Sequence, residues 1–281
     1  MSKGRPRHHE LPRYYLRDFC SPDRAGHVWV FERDAPFIPG IRRGRNNPHA
    51  RGINQAGLHP RGYGTYESDL QRQEHLADET IYKVRTSQPI DAAGKEILAR
   101  YIGLTWRRIV GRESDVRPLL ERRVKQLRLE ALAQTLVASG HFRRAQEVFR
   151  ANDWINSEAG RVDLIRKTIL PNHERLHALI IGRQWSFIRA AASHYFVTTD
   201  SPVVFDRRSG LQASTLLFPM GRGVMLRISP TNGSDIADEI GTPEDTRKLN
   251  SMVIMHAHQR IYSPCPDQWI YSGWHNGFAF A

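Results

Sequence analysis

The sequence predicts an α+β fold, and two observations predict it. Apolar residues recur at helical spacing through the middle of the chain, about 66–181. Short runs rich in strand-forming residues cluster after Arg183, and an earlier one lies at Val28-Trp29-Val30-Phe31. The expected architecture is one α+β domain spanning 1–281. A mostly helical middle would pack on a mixed, mainly antiparallel sheet built from the N-terminal and C-terminal segments.

The elements follow in order. Residues 1–7 read as a basic arm. Leu11 to Phe19 form a short amphipathic piece, with Pro12 near its start, where a missing N–H costs least, and Leu16 and Phe19 one turn apart. Val28–Phe31 reads as a buried strand. Residues 34–64 hold four prolines, six glycines and the arginines Arg42, Arg43, Arg45, Arg51 and Arg61, and predict a long irregular loop. From Tyr66 to about Val84 the residues Leu70, Leu76, Ala77, Thr80, Ile81 and Val84 trace a helix that Ser87-Gln88-Pro89 ends. A second stripe, Ile97, Leu98, Tyr101, Ile102, Thr105 and Ile109, predicts a helix to Val110. Further helices are expected at 116–139, 141–149 and 160–181, the last interrupted by Pro171. Strand-like runs then follow at 185–189, 195–199, 203–205, 215–218 and 224–228. Thr242-Pro243-Glu244-Asp245 reads as an N-cap with Pro in the first turn of a helix to about 258, and Arg260-Ile261-Tyr262 as a last strand before a tail containing Pro and Trp.

Composition narrows the classes. The chain has 281 residues and a formal net charge of +12. Only six of its 41 basic residues are lysine, and the rest are arginine, whose planar fork of donors suits phosphate. DNA or RNA is the partner this charge suggests; a basic surface with no specific partner is the bland alternative. No run approaches the roughly 18 apolar residues of a membrane span, and the basic N-terminus has no apolar segment behind it, so a cytoplasmic protein without membrane contact is expected. Two isolated cysteines, Cys20 and Cys265, make neither a disulfide framework nor a thiolate cluster. HExxH, GxSxG, P-loop and GxGxxG patterns are absent, which removes support for zinc proteases, serine hydrolases, NTPases and dinucleotide enzymes.

Four polar constellations remain. His8-His9-Glu10 offers imidazoles to a metal or is a polar arm. Glu67 and Glu74 lie two helical turns apart on one face, with Asp78 one turn further, and either hold a hard cation such as Mg²⁺ or Mn²⁺ or face water. Asp200, in Thr198-Thr199-Asp200-Ser201-Pro202, stands at a strand end kept extended by the proline; it either presents a carboxylate or closes an Asx-type turn. Asn250, His256 and His258 on the last helix form the weakest set, since His256 and His258 do not share a face.

These residues carry a resemblance. His8-His9-Glu10-Leu11-Pro12-Arg13-Tyr14-Tyr15-Leu16-Arg17-Asp18-Phe19 resembles the HHxxPxxYLxxF start of a large, mainly bacterial family, domain-of-unknown-function family 4238. The Val28 strand, Tyr66-Glu67 with Glu74, the Trp185 strand, the Thr199-Asp200-Ser201-Pro202 corner, Phe218-Pro219, Asn250 and Arg260-Ile261-Tyr262 follow in the family's order over most of residues 8–263. The resemblance implies no activity. It implies that His8, His9, Glu67, Glu74 and Asp200 are motif positions and that a polar site is assembled from both ends of the chain.

Two functions are compatible with this reading. In one, the chain is a metal-dependent phosphodiester hydrolase acting on nucleic acid. His8, His9, Glu74 and Asp200 would hold Mg²⁺ or Mn²⁺, His9 serving as ligand or proton carrier, Glu67 would support the ligands or act as base, and Arg42, Arg43, Arg45, Arg51 and Arg61 would grip the backbone. In the other, the chain is a non-catalytic module that binds nucleic acid or protein, and the same polar residues form a buried network that fixes the fold.

Overall fold

In the computed structural model, residues 8–9, 11–32, 49–53, 58–59, 67–110, 173–205, 209–233 and 235–276 are described below. The chain divides into two compact units, residues 1–106 with 176–281 and residues 107–175. The second is outside the described residues apart from the ends of two helices, and with it the helices expected at 116–139 and 141–149 and most of that at 160–181. The arm 1–7 and Arg42, Arg43, Arg45 and Arg61 also lie outside.

The first unit is α+β. Its helices are α1 (Arg13–Arg17), α2 (Glu67–Arg85), α3 (Ala92–Val110), α4 (His173–Ile181), α5 (Gly210–Ala213), α6 (Pro243–Met255) and α7 (Gln268–Asn276). Its strands are β1 (His8–His9), β2 (His27–Glu32), β3 (His49–Gly52), β4 (Leu58–His59), β5 (Arg183–Arg189), β6 (Thr198–Thr199), β7 (Val204–Phe205), β8 (Leu216–Gly221), β9 (Val224–Asn232), β10 (Ile236–Ile240) and β11 (Arg260–Ser263). A five-stranded sheet runs β10-β5-β9-β8-β7, antiparallel except for the parallel β10–β5 pair. A four-stranded antiparallel sheet runs β3-β2-β11-β6 and joins the two ends of the chain, as expected.

Strand alternation feeds two cores. Trp185, Phe187, Phe218 and Leu226 face one cluster with Val28, Val30, Tyr262 and the buried stripes of α1 to α4. Ile188, Leu217, Met225, Phe31 and Ile261 face the other, with Val253 and Ile254 of α6 and Ile270 of α7. Successive side chains leave a strand on opposite faces, so each sheet is covered on both sides.

Helix ends follow local chemistry. The α2 stripe Ala77, Ile81 and Val84 is buried, and the helix stops where Ser87 takes φ 56° while Gln88 N–H reaches Lys83 O at 2.8 Å and Ser87 N–H reaches Val84 O at 3.1 Å, a left-handed cap that satisfies orphan carbonyls. Thr242 and Asp245 form a reciprocal capping box on α6, with Pro243 in the first turn.

Two expectations need correction, and two elements, β10 and α7, lie outside the sequence reading. The 34–64 stretch is not structureless: β3 and β4 lie within it, β3 pairing with β2 and β4 with β1. Ladder hydrogen bonds to an existing edge make strands of His-Ala-Arg-Gly despite its weak intrinsic preference. The run 195–199 is a strand only at Thr198–Thr199. Strand β10 follows the Asn232-Gly233 turn dipeptide and forms by parallel pairing with β5. The tail carries α7, whose Ile270 and Trp274 are spaced one turn apart and buried.

Candidate functional site

Asp200 is 1% exposed, at the end of β6. Its Oδ1 accepts from His258 N–H at 3.0 Å, and its Oδ2 accepts from Gln259 and Arg260 N–H at 2.9 and 3.1 Å. Its own N–H donates to Arg260 O at 3.1 Å. The chain leaving α6 must turn here before entering β11, and three successive amides point at the carboxylate instead of at a ladder partner. The carboxylate takes all three, an anion in a concavity of main-chain donors. Ser201 N–H turns back onto Thr199 Oγ1 at 3.1 Å, completing the corner.

Asn250 does the same for the approach to β6. Its Oδ1 accepts from Val197 N–H at 2.9 Å and its Nδ2 donates to Tyr195 O at 2.7 Å, while Phe196 N–H goes to Arg222 O at 2.8 Å. A side-chain amide on α6 thus replaces a strand neighbour, which is why residues 195–197 are not part of a ladder. His256 closes the other end of α6, with Nε2 2.7 Å from Phe205 O and Nδ1 3.0 Å from Met252 O.

Three buried cations are matched by carbonyls. Arg85 donates from Nε to Met220 O at 2.6 Å, from Nη2 to Tyr15 O at 3.0 Å and from Nη1 to Tyr14 O at 3.3 Å, beside the Asp18 carboxylate at 3.7 Å. It therefore closes the C-terminal end of α1, where the helix dipole is negative. Burial lowers the Arg85 pKa, and Asp18 works against that shift. Arg183 donates to Gln212 O and Ser214 O around the end of α5, and Lys95 Nζ donates to Arg183 O at 3.0 Å. Burial lowers the pKa of both.

Helix α1 is held from both sides. The Tyr15 hydroxyl donates to Pro219 O at 2.6 Å and lies 2.8 Å from Thr198 Oγ1. Tyr14 packs against Tyr101 with ring centroids 6.1 Å apart. Burial, then Tyr101, then the nearby Glu74 and Asp78 carboxylates hold the Tyr14 phenol far above its ordinary range. The N-terminal helix therefore lies between the helix that carries Glu74 and the strand that leads to Asp200. To that extent both ends of the chain meet. The carboxylate of Asp200, however, turns to the 258–260 amides.

His8 and His9 form β1, paired with His59 and Leu58, and Glu67 is the first residue of α2. The side chains of these three residues lie outside the described ones. Among the described residues no group of three or more His, Cys, Asp or Glu side chains is placed to hold a metal ion. Burial first, then neighbouring acids, raises the pKa of both Cys20 and Cys265, opposite to the activation a nucleophilic thiol needs. Among the described residues no helix is long and apolar enough to cross a membrane.

Arg51 sits elsewhere, on the rim of the four-stranded sheet. Glu32 on β2 lies between β3 and β11, and its Oε1 is 3.2 Å from Arg51 Nη2 and 3.4 Å from Arg260 Nε. Each of the three side chains is a quarter to a third exposed. Sequence reasoning reached Arg51 through its arginine-rich surroundings, and it missed Glu32 and Arg260, which only strand pairing brings together.

An α+β unit whose buried polar side chains are engaged with main-chain groups is what the fold and site define. The family described as "Protein of unknown function (DUF4238)" matches residues 7–265, and the chain belongs to that family. No curated protein and no solved structure matches the chain.

Proposed function

We propose that the chain is a non-catalytic module that binds nucleic acid through its arginine surface, with the acid and amide side chains of the family motif serving as fold fasteners. The observation that carries this reading is the Asp200 carboxylate, whose two oxygens already accept three main-chain N–H bonds beneath a closed surface. A metal would have to displace three hydrogen bonds to a charged acceptor, each worth about 1.5–3 kcal/mol. Asn250 and Arg85 are used in the same way. The net charge of +12, carried mostly by arginine, supports the choice of a phosphate-rich partner.

The test is a pair of measurements on the full chain. Fluorescent single- and double-stranded DNA and RNA are titrated between low and physiological salt. Binding is expected, with log K falling linearly against log salt. The same nucleic acids are then incubated with Mg²⁺ or Mn²⁺, and they are expected to stay intact. Metal-dependent cleavage that disappears in Glu74→Gln would replace this reading with the hydrolase.

A further inference from the structure

We infer that the face of β2 carrying Trp29 and His27, beside the Arg24 guanidinium, is a stacking platform for two unpaired bases of a single-stranded nucleic acid. This rests on the nucleic-acid reading above and deepens it, naming the surface and the kind of strand.

Along β2 the side chains of His27, Trp29 and Phe31 leave on one face, and those of Val28 and Val30 on the other. Exposure rises along the first face. Phe31 is buried in the second core, Trp29 is partly buried against that core, and His27 is exposed. The flanking strands leave this end of the face low. Ala50 of β3 and Ser263 of β11 stand directly opposite Trp29, and Gly52 stands opposite His27. Directly opposite residues share a face, so the nearest cross-strand neighbours of both rings are small. The Arg24 guanidinium lies over the Trp29 ring, 5.5 Å from its centroid. Among the described residues it makes no ion pair and no hydrogen bond. Its loop is tied to the strand, since Ser21 N–H donates to His27 O at 2.7 Å and His27 N–H to Arg24 O at 3.0 Å. The His27 ring is held too, with Nδ1 3.0 Å from Ala25 O.

Two rings on alternate residues of one strand stand about 7 Å apart. Neighbouring bases of an unpaired strand can splay onto such a pair, one base to each ring, and every base has a face to offer. Bases within a duplex stack on one another and have no free face, so a duplex gains nothing from the rings. An exposed cation–π contact is weak, so a base takes the Trp29 face and Arg24 swings aside. Its fork of donors, which no acid holds, then meets the phosphate of the same strand. A second guanidinium borders the platform. Arg222, exposed in the β8–β9 turn, lies within electrostatic reach of Cys20, just before the Arg24 loop, and of Cys265, two residues past Ser263. Like Arg24, its side chain makes no ion pair among the described residues. The loop itself carries one acid, Asp23. Open rings bordered by unengaged cations fit a base and its phosphate better than they fit an apolar peptide.

The test compares single-stranded oligothymidylate with a duplex on the full chain. Trp29→Leu keeps apolar volume and removes the ring; it should weaken binding of the single strand by about tenfold and of the duplex by less than about twofold. His27→Ala should weaken the single strand by about threefold. Arg24→Ala should lower the salt slope by about one. Binding of the single strand should quench tryptophan fluorescence, and Trp29→Phe should keep most of the affinity while losing that quenching. Thermal unfolding verifies each variant; if Trp29→Leu does not fold, His27→Ala and the fluorescence of Trp29→Phe decide. Wild-type affinity for the single strand in both Trp29→Leu and His27→Ala, equal losses on single strand and duplex, or undiminished quenching in Trp29→Phe overturns the platform and leaves the nucleic-acid reading standing. If wild-type protein binds no oligonucleotide at low salt, that reading falls and takes the platform with it.

Discussion

Asp200 and Glu32 are both acids at strand ends of the same four-stranded sheet, and they do opposite things. Asp200 is buried, and its oxygens accept three successive main-chain N–H groups. Glu32 is a third exposed, and it meets two side-chain cations that water could serve as well. An ionised group in a low-dielectric surrounding is tolerable only when fully matched, and once matched it cannot be removed without stranding its partners. A half-exposed group can exchange partners at little expense. The comparison teaches that a motif acid marks a place where the chain has polar groups to satisfy, and that exchangeable charge is found where strands end in solvent.

The largest expected effect tests the sealed member. Asp200→Ala should destabilise the protein by about 3–5 kcal/mol, read as a lower denaturant midpoint, because three main-chain N–H groups lose their shared acceptor together. A loss below about 1 kcal/mol would mean water reaches the corner, and the contrast with Glu32 would dissolve.

Next comes the Arg85 clamp. A methyl group on Gly221 would collide with the Asp18 carboxylate and lie 3.0 Å from Arg85 Nε. Gly221→Ala should therefore cost about 2–3 kcal/mol. Pairing it with Asp18→Ala should recover part of that loss in a double-mutant cycle, since the clash is with that side chain. Simple additivity would show that the glycine is needed for another reason.

Glu32→Gln should change stability by no more than about 1 kcal/mol, read as the denaturant midpoint. A large stability loss would place Glu32 beside Asp200 as a fastener.

The smallest effect belongs to Glu96, an exposed-side acid paired with Arg100 at 2.9 Å and His177 at 2.8 Å. Burial pushes its carboxyl up, but the combined pull of Arg100 and His177 exceeds that push, so the net shift is downward. A depressed folded-state value means the unfolded chain binds more protons in that window. The pairing contribution is then fully present above the unfolded value of about 4.3 and fades as pH falls through the folded value. Glu96→Gln should cost about 0.3 kcal/mol at neutral pH and nothing at pH 2, by urea melts at the two values.

Much of the fold was legible along the chain. Periodicity located α2 and α3, the Thr242-Pro243 pair located the start of α6, and the Trp185, Phe218 and Leu226 runs located the central strands. Those signals are local: spacing, caps and turn residues act within a few positions. Strands β3, β4 and β10 were invisible because a partner edge makes them, and Tyr195–Val197 misled because its polar groups go to Asn250 and Arg222 instead of a ladder. For the site, the motif order pointed to Asp200 and Glu74 but left open what they touch.

By itself, then, the amino-acid order determined the α+β class, the family, the basic charge and the boundaries of α2, α3 and the start of α6, since each depends on residue type and short-range spacing. Tertiary structure alone decided that Asp200 faces three amides rather than solvent, that Arg85 closes α1, and that Glu32 stands between Arg51 and Arg260. Those pairings join residues up to more than 200 positions apart. Which donor meets which acceptor across such a span is settled by sheet register and burial, quantities that exist only once the chain has closed on itself.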